Sequence, residues 1–184
     1  GELMTATIDL FNAYSGNYED SEAAMLLKTE FLKAAEGIVT DYLGFSPEEK
    51  EYRDVLLDGT DKGILYLPAR NITKLISLAF DGEEKNTADI ILADDRLEYR
   101  TGDVFRRIGK RYISVSFTAG WDEDSMPSTI RLAVLRIATL MLQETGGNIG
   151  LTGKSFADNS RTFVSYSNYR KYLEPLAPLR IRRF

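Results

Sequence analysis

A glycine-rich run ending in a Lys-Ser pair, Gly147-Asn148-Ile149-Gly150-Leu151-Thr152-Gly153-Lys154-Ser155, has the residue types of a phosphate-binding loop. In such a loop, backbone N–H groups between a strand and a helix N-terminus cradle an anion. The spacing fails, because the first glycine of that pattern belongs five positions before Gly153, where Asn148 stands. The run also follows a helical pattern rather than a strand, so the expected reading is an exposed loop without a nucleotide. Two acidic groups, Asp122-Glu123-Asp124 and Asp94-Asp95, carry oxygen ligands for a hard cation but lack calcium-loop spacing, and read as solvated turns. With no Cys and no His in 184 residues, thiolate nucleophiles, disulfides, the usual zinc sites and His-based acid/base chemistry are excluded. No carboxylate pair is singled out for glycoside hydrolysis. The expectation is a protein that is not an enzyme and has no cofactor and no metal.

Cations remain as the chemistry-bearing groups. Net charge is −9 over residues 1–60, −2 over 61–126 and +6 over 127–184, for a total of −5. The candidate interface or DNA-facing residues are Trp121, Arg131, Arg136, Lys154, Arg170, Lys171, Arg180, Arg182, Arg183 and Phe184. Three readings of the basic end stand side by side: a solvated tail, a protein interface, and contact with phosphates. A sequence pI near 4.9 argues against a dedicated nucleic-acid-binding module. Trp121, the only Trp, reads as a core or interface anchor at a strand-to-helix junction.

The elements that position these residues follow from hydrophobic period and turn chemistry. At 184 residues and 43% hydrophobic content, one domain is expected, burying roughly 70% of its unfolded surface. Ala24, Leu27, Phe31, Ala34, Ile38 and Tyr42 repeat at helical spacing over residues 21–43, with Lys28, Lys33, Glu36 and Asp41 on other faces. Asp20 or Ser21 is the expected cap and Gly44 the stop. A shorter helix precedes it at about 5–14. From 52 to 121 the texture is β, with short runs punctuated by Asp58-Gly59, Pro68, Asp81-Gly82, Asp94-Asp95, Thr101-Gly102 and Gly120. One small, mostly antiparallel sheet is expected there, its last strand buried on the Ile113, Val115, Phe117 face and wet on the Ser114, Ser116, Thr118 face. Pro127 opens a second long helix that is apolar nearly all round, and so is either central to the core or covered by another copy. A last short helix from about 165 to 173 is stopped by Pro175 and Pro178. The expected fold is α+β, with long helices forming a small bundle and a β-rich insert between them. Its parts are helical 1–45 and 127–176, insert 51–121, and basic tail 177–184. Apolar runs are too short to span a bilayer, and Gly1-Glu2-Leu3-Met4 has no leader pattern. A soluble, intracellular protein is expected, with Met4 or an earlier residue as its natural start.

In its order of elements the chain resembles the head-tail connector (adaptor) proteins of long-tailed double-stranded DNA phages and prophages. The echoes are Ala34-Ala35 to Tyr42-Leu43-Gly44, Leu65-Tyr66-Leu67-Pro68 followed by Ile72 to Phe80 and Asp81-Gly82, and the junction Phe117-Thr118-Ala119-Gly120-Trp121 with Met126-Pro127, Ile130 and Ala133. The run through Tyr169 to Leu176 with the Arg-rich end completes them. The resemblance implies a structural virion protein that forms a ring between portal and tail. Its partners would be itself, the portal, tail or further neck proteins and the DNA passing through the lumen, with no membrane. It would sit in the virion neck and, during assembly, in the bacterial cytoplasm. Another neck or tail-completion protein, or a nucleic-acid-binding module using the basic C-terminal segment, is the alternative.

Overall fold

The computed structural model describes residues 5–145 and 166–181. The fold is α+β, and the chain divides into two compact units. One is built from residues before Gly44 and from Met126 to Arg180. The other is the stretch Gly44–Ser125 together with Ile181.

The first unit is helical. Helix α1 (Ile8–Ser15) opens where the Thr7 hydroxyl accepts from Leu10 N–H and closes at Gly16, whose φ of 72° allows its N–H to return to Asn12 O. Helix α2 (Glu22–Leu43) is capped by the Ser21 hydroxyl, which accepts from Ala24 N–H at 3.2 Å. At about 1.5 Å per residue it is roughly 33 Å long. Its buried stripe is Ala24, Lys28, Phe31, Leu32, Ala35, Val39 and Leu43. This is one residue round from the stripe expected from sequence: Ala34 is exposed, Leu27, Ile38 and Tyr42 are half-buried, and Lys28 faces inward. Helix α3 (Ser128–Glu144) starts one residue after Pro127, which takes the cap position rather than the first turn. It is touched by α1, α2, the helix α4 (Tyr166–Leu173) and the 3₁₀ segment Glu174–Leu179. Contacts within the chain thus account for most of its apolar circumference, with Leu132 left exposed. Ile130, Val134, Ile137, Ala138 and Met141 are buried within the chain itself, each large aliphatic contributing about 1.5–3 kcal/mol. Helix α4 ends at Leu173, ahead of Pro175 and Pro178, as expected. The two prolines lie inside the 3₁₀ segment, with Pro175 at its start and Leu176 between them buried.

The second unit holds two antiparallel sheets where one was expected. The first has the order β1 (Lys50–Leu57), β7 (Ile113–Ala119), β3 (Ile72–Phe80), β4 (Glu83–Glu84). The second has the order β2 (Ile64–Tyr66), β6 (Arg96–Tyr99), β5 (Ile90–Leu92). Both feed one core through Leu65, Leu97, Leu78, Val115, Phe117 and Phe105. The Asp81-Gly82 pair, with φ of 50° and 80°, forms the two-residue hairpin between β3 and β4, as the sequence implies. Ser116, expected on the wet face of β7, is buried. A bulge in β1 between Tyr52 and Val55 turns Asp54 to φ 48°, so that its N–H donates to the Ser116 hydroxyl at 3.0 Å. The hydroxyl thus satisfies a backbone group that the bulge takes out of the ladder.

Candidate assembly interface

Six of the ten sequence-predicted site residues lie among the described residues, and five of these have specific local contacts. At the Trp121 junction, Gly120 has φ 104°, and a Cβ there would meet Glu48 O at 2.4 Å, so only glycine lets the two strands approach. Trp121 N–H donates to Pro47 O, and Trp121 O accepts from Glu49 N–H, both at 2.9 Å. The indole is half-buried, its ring 6.1 Å from that of Phe45. Trp121 therefore anchors the entry and exit strands of the second unit to each other.

In the first unit, Arg131 donates from Nε to Thr5 O at 3.2 Å, while Arg136 is exposed. Arg180 lies over the Tyr42 ring at 4.6 Å and donates to Tyr42 O at 2.9 Å, tying the 3₁₀ segment to the end of α2. Arg170 pairs with Glu174 one turn on, and Lys171 lies 5.0 Å from the Tyr172 ring centre. Lys154, Arg182, Arg183, Phe184 and the expected loop at 146–160 lie outside the described residues. Between α1 and α3 runs a groove of about 510 Å³, lined by Leu10, Ala13 and Tyr14 on one side and Arg131, Leu132 and Leu135 on the other. Leu10, Tyr14 and Leu132 remain 37–43% exposed, an apolar surface left open by the described residues.

A second surface escaped the sequence reading. The segment 100–111 exposes Arg100, Arg106, Arg107, Lys110 and Arg111 against a single acid, Asp103. Its backbone is nailed down. Phe105 is fully buried, its N–H bonded to Lys62 O and its O to Thr60 and Asp61 N–H. Asp61 and Asp58 carboxylates accept from the backbone N–H of Arg107 and Arg111. Gly59 lies so close beneath Arg106 that a Cβ would meet its carbonyl oxygen. None of the five cations is in an ion pair among the described residues, unlike Arg53, Arg70 and Arg96. Beside the segment lies a groove of about 400 Å³, walled by Phe80, Tyr99, Tyr112 and Val104 and edged by Arg106 and Lys85. Tyr99 and Phe80 pack on Phe105 with ring centres 4.6 and 6.4 Å apart. Burial and the Asp103 charge push the Tyr99 hydroxyl's pKa up. The signal in the sequence was the run Arg106-Arg107-Ile108-Gly109-Lys110-Arg111.

The acidic groups are used structurally. Asp122 accepts from both the N–H and the hydroxyl of Ser125, bonds that hold its carboxyl below the usual range. Asp94 takes Arg70 at 2.6 Å and Asn71 N–H, and buried Asp95 pairs with Arg96. Among the described residues no three acidic side chains gather to hold a metal ion, and no helix is long and apolar enough to cross a membrane. Lys28 is fully buried, and its ammonium donates to Asn12 Oδ1, Asn17 O and Glu19 O at 2.7–2.9 Å. It fastens the α1–α2 loop, leaving Tyr18 68% exposed among exposed Glu19, Asp20 and Glu22. Burial pulls the Lys28 pKa down, while Glu19 and Asp20 oppose that shift.

No family model and no curated protein matches the chain. Solved structures do. A chain from the neck of an empty gene transfer agent particle, computed with C6 symmetry, superposes with TM-score 0.62 at 16% identity, over 98% of this chain and 91% of that one. A chain from the neck of the native particle, computed with C12 symmetry, gives 0.56 at 16% identity, over 94% and 89%. A chain from the virion of the native gene transfer agent particle gives 0.58 at 15% identity, over 95% and 90%. At these identities the likeness is one of fold, and it runs through both units.

Proposed function

We propose that this protein is a structural component of a phage-like virion neck, a head-tail connector (adaptor) that assembles as a homo-oligomeric ring between portal and tail. It guides DNA through the lumen and offers a docking surface to the tail. The observation that carries the reading is the likeness of fold, nearly end to end, to chains of neck assemblies computed with sixfold and twelvefold symmetry. The α1–α3 groove left open by the described residues, and the contrast between the acidic 18–22 loop and the basic 100–111 segment, offer what a heterologous ring needs: unlike patches on every copy. In this reading the two units act as one connector domain, without catalysis or cofactor, in the virion neck after assembly in the bacterial cytoplasm.

The test is electron microscopy of the purified protein mixed with its cognate portal. Density for a ring of this chain on the portal's tail-facing end is the expected outcome. A protein that neither self-associates nor decorates the portal overturns the reading.

A further inference from the structure

Two loops with pinned backbones carry opposite charge. The α1–α2 loop presents Tyr18, the most exposed large apolar side chain among the described residues, followed by exposed Glu19, Asp20 and Glu22. Its backbone is held from below by Lys28 through the carbonyls on either side of Tyr18, so little freedom is lost when the loop is captured. None of the three carboxylates is in an ion pair among the described residues, and Lys28, whose charge Glu19 and Asp20 feel, is sealed beneath the loop. The 100–111 segment is its complement. Its acids Asp58 and Asp61 accept from backbone N–H groups rather than from guanidinium groups, which leaves the cations uncommitted. Beside them is an aromatic-walled groove with room for a ring.

Resting on the ring reading above, we propose that the Tyr18–Glu22 loop of one copy docks on the 100–111 segment of the next, Tyr18 entering the groove and the carboxylates facing Arg106, Arg107 and Lys110. Each copy carries both halves, one in each unit, and two unlike halves on every copy are what a head-to-tail contact requires. A second copy suits this surface better than a DNA backbone does. Val104 and Ile108 are exposed at 36% and 52% beside the groove, apolar area that a phosphodiester chain leaves uncovered, and the chain as a whole is acidic. One loop in one groove is smaller than a stable interface. The contact therefore sets register and salt dependence, while apolar surfaces such as the α1–α3 groove add area.

Because the chain has no cysteine, the contact can be trapped with Glu22→Cys and Lys110→Cys placed in one chain and treated with a short bismaleimide. A ladder of linked species continuing past the dimer is expected from the double variant, whereas each single variant stops at dimers. Arg106→Glu with Arg107→Glu abolishes the ladder and raises the concentration needed for assembly at least tenfold. Adding Glu19→Lys and Asp20→Lys to that chain restores assembly. Circular dichroism confirms that these exposed substitutions leave the fold intact. Rings without a ladder, an internal link only, or failure of the charge swap to restore assembly overturns the docking and leaves the ring reading standing. Absence of any assembly overturns both. A further arm measures anisotropy of a labelled DNA duplex at low salt. DNA binding lost in Arg106→Glu with Arg107→Glu, while assembly is unchanged, assigns the segment to DNA and also overturns the proposal.

Discussion

Replacing Lys28 with Met keeps the aliphatic stem inside the helical unit and removes only the ammonium. In the folded chain that ammonium is wholly buried and makes three hydrogen bonds of 2.7, 2.9 and 2.8 Å, to Asn12 Oδ1, Asn17 O and Glu19 O. Bonds to a charged donor contribute roughly 1.5–3 kcal/mol each before the cost of desolvating the charge. That cost is several kcal/mol for a buried ion. Asn12 in α1 and Asn17 in the loop are half-buried and Glu19 is exposed, so water replaces part of what the ammonium gave. The expected net loss is about 2–3 kcal/mol, a fall in Tm of about 5–10 °C for a chain of this size. Urea unfolding followed by far-ultraviolet circular dichroism measures it, with Lys33→Met as the control. Lys33 is exposed and only 4.0 Å from Glu30, a pair expected to be worth less than about 0.5 kcal/mol. Amide exchange at residues 17–22 should speed up in Lys28→Met and stay unchanged in the control. A Lys28→Met protein as stable as the parent, with unchanged exchange in the loop, would show that the ammonium does not fasten the loop and would refute the reasoning.

Tyr169 is fully buried in the helical unit, and burial together with the Glu144 charge pushes its pKa up to about 12. Above pH 10 the unfolded chain releases this proton while the folded chain keeps it, so stability falls as pH rises from 10 to 12. Relative to Tyr169→Phe, the parent should lose about 2–3 kcal/mol across that window; parallel urea curves for the two proteins would expose the reasoning as wrong. Gly59→Ala should cost about 2–4 kcal/mol in thermal unfolding, because its Cβ meets the backbone of Arg106 and Arg107, and should deprotect the Phe105 amide in exchange. Leu132→Asp, at a half-exposed position beside the α1–α3 groove, should leave monomer stability within about 1 kcal/mol while sedimentation velocity shows assembly weakened tenfold or more.

Element positions were legible where local chemistry sets them. Ser21, Gly16, Gly44 and Asp81-Gly82 lie at the ends where capping and turn rules put them, while α1 starts at Ile8 behind the Thr7 cap, three residues later than expected. What depended on partners distant in sequence was not. Helix α2 carries two adjacent apolar stripes, and a lysine reads as solvent-facing, so the inward stripe through Lys28 could be chosen only with its packing partners in place. The split of the β region into two sheets is likewise a matter of pairing between segments far apart. The basic segment was hidden by averaging. Five of the ten cations of residues 61–126 fall within 100–111, but twelve acids in the same third bring its sum to −2. Arg131 and Arg180 were legible as cations, though not as donors to the backbone oxygens of Thr5 and Tyr42.

The pairing of Trp121 with residues 47–49 bears on the order in which the chain folds. Helices α2 and α3 pack together, yet the whole of the second unit is synthesised between them. At about 5–20 residues per second, a ribosome holds α2 exposed for several seconds or more before α3 exists. Once the second unit folds and the bridge between Glu48 and Trp121 forms, the path from Leu43 to Ser128 shortens to about a dozen residues. By loop-closure scaling this spares roughly 2 kcal/mol of chain entropy when the helices meet. The β-rich stretch thus acts as an internal clasp whose closing favours completion of the helical layer, so lesions at Gly120 or Trp121 should slow the appearance of helix–helix contacts in refolding even though neither residue belongs to a helix.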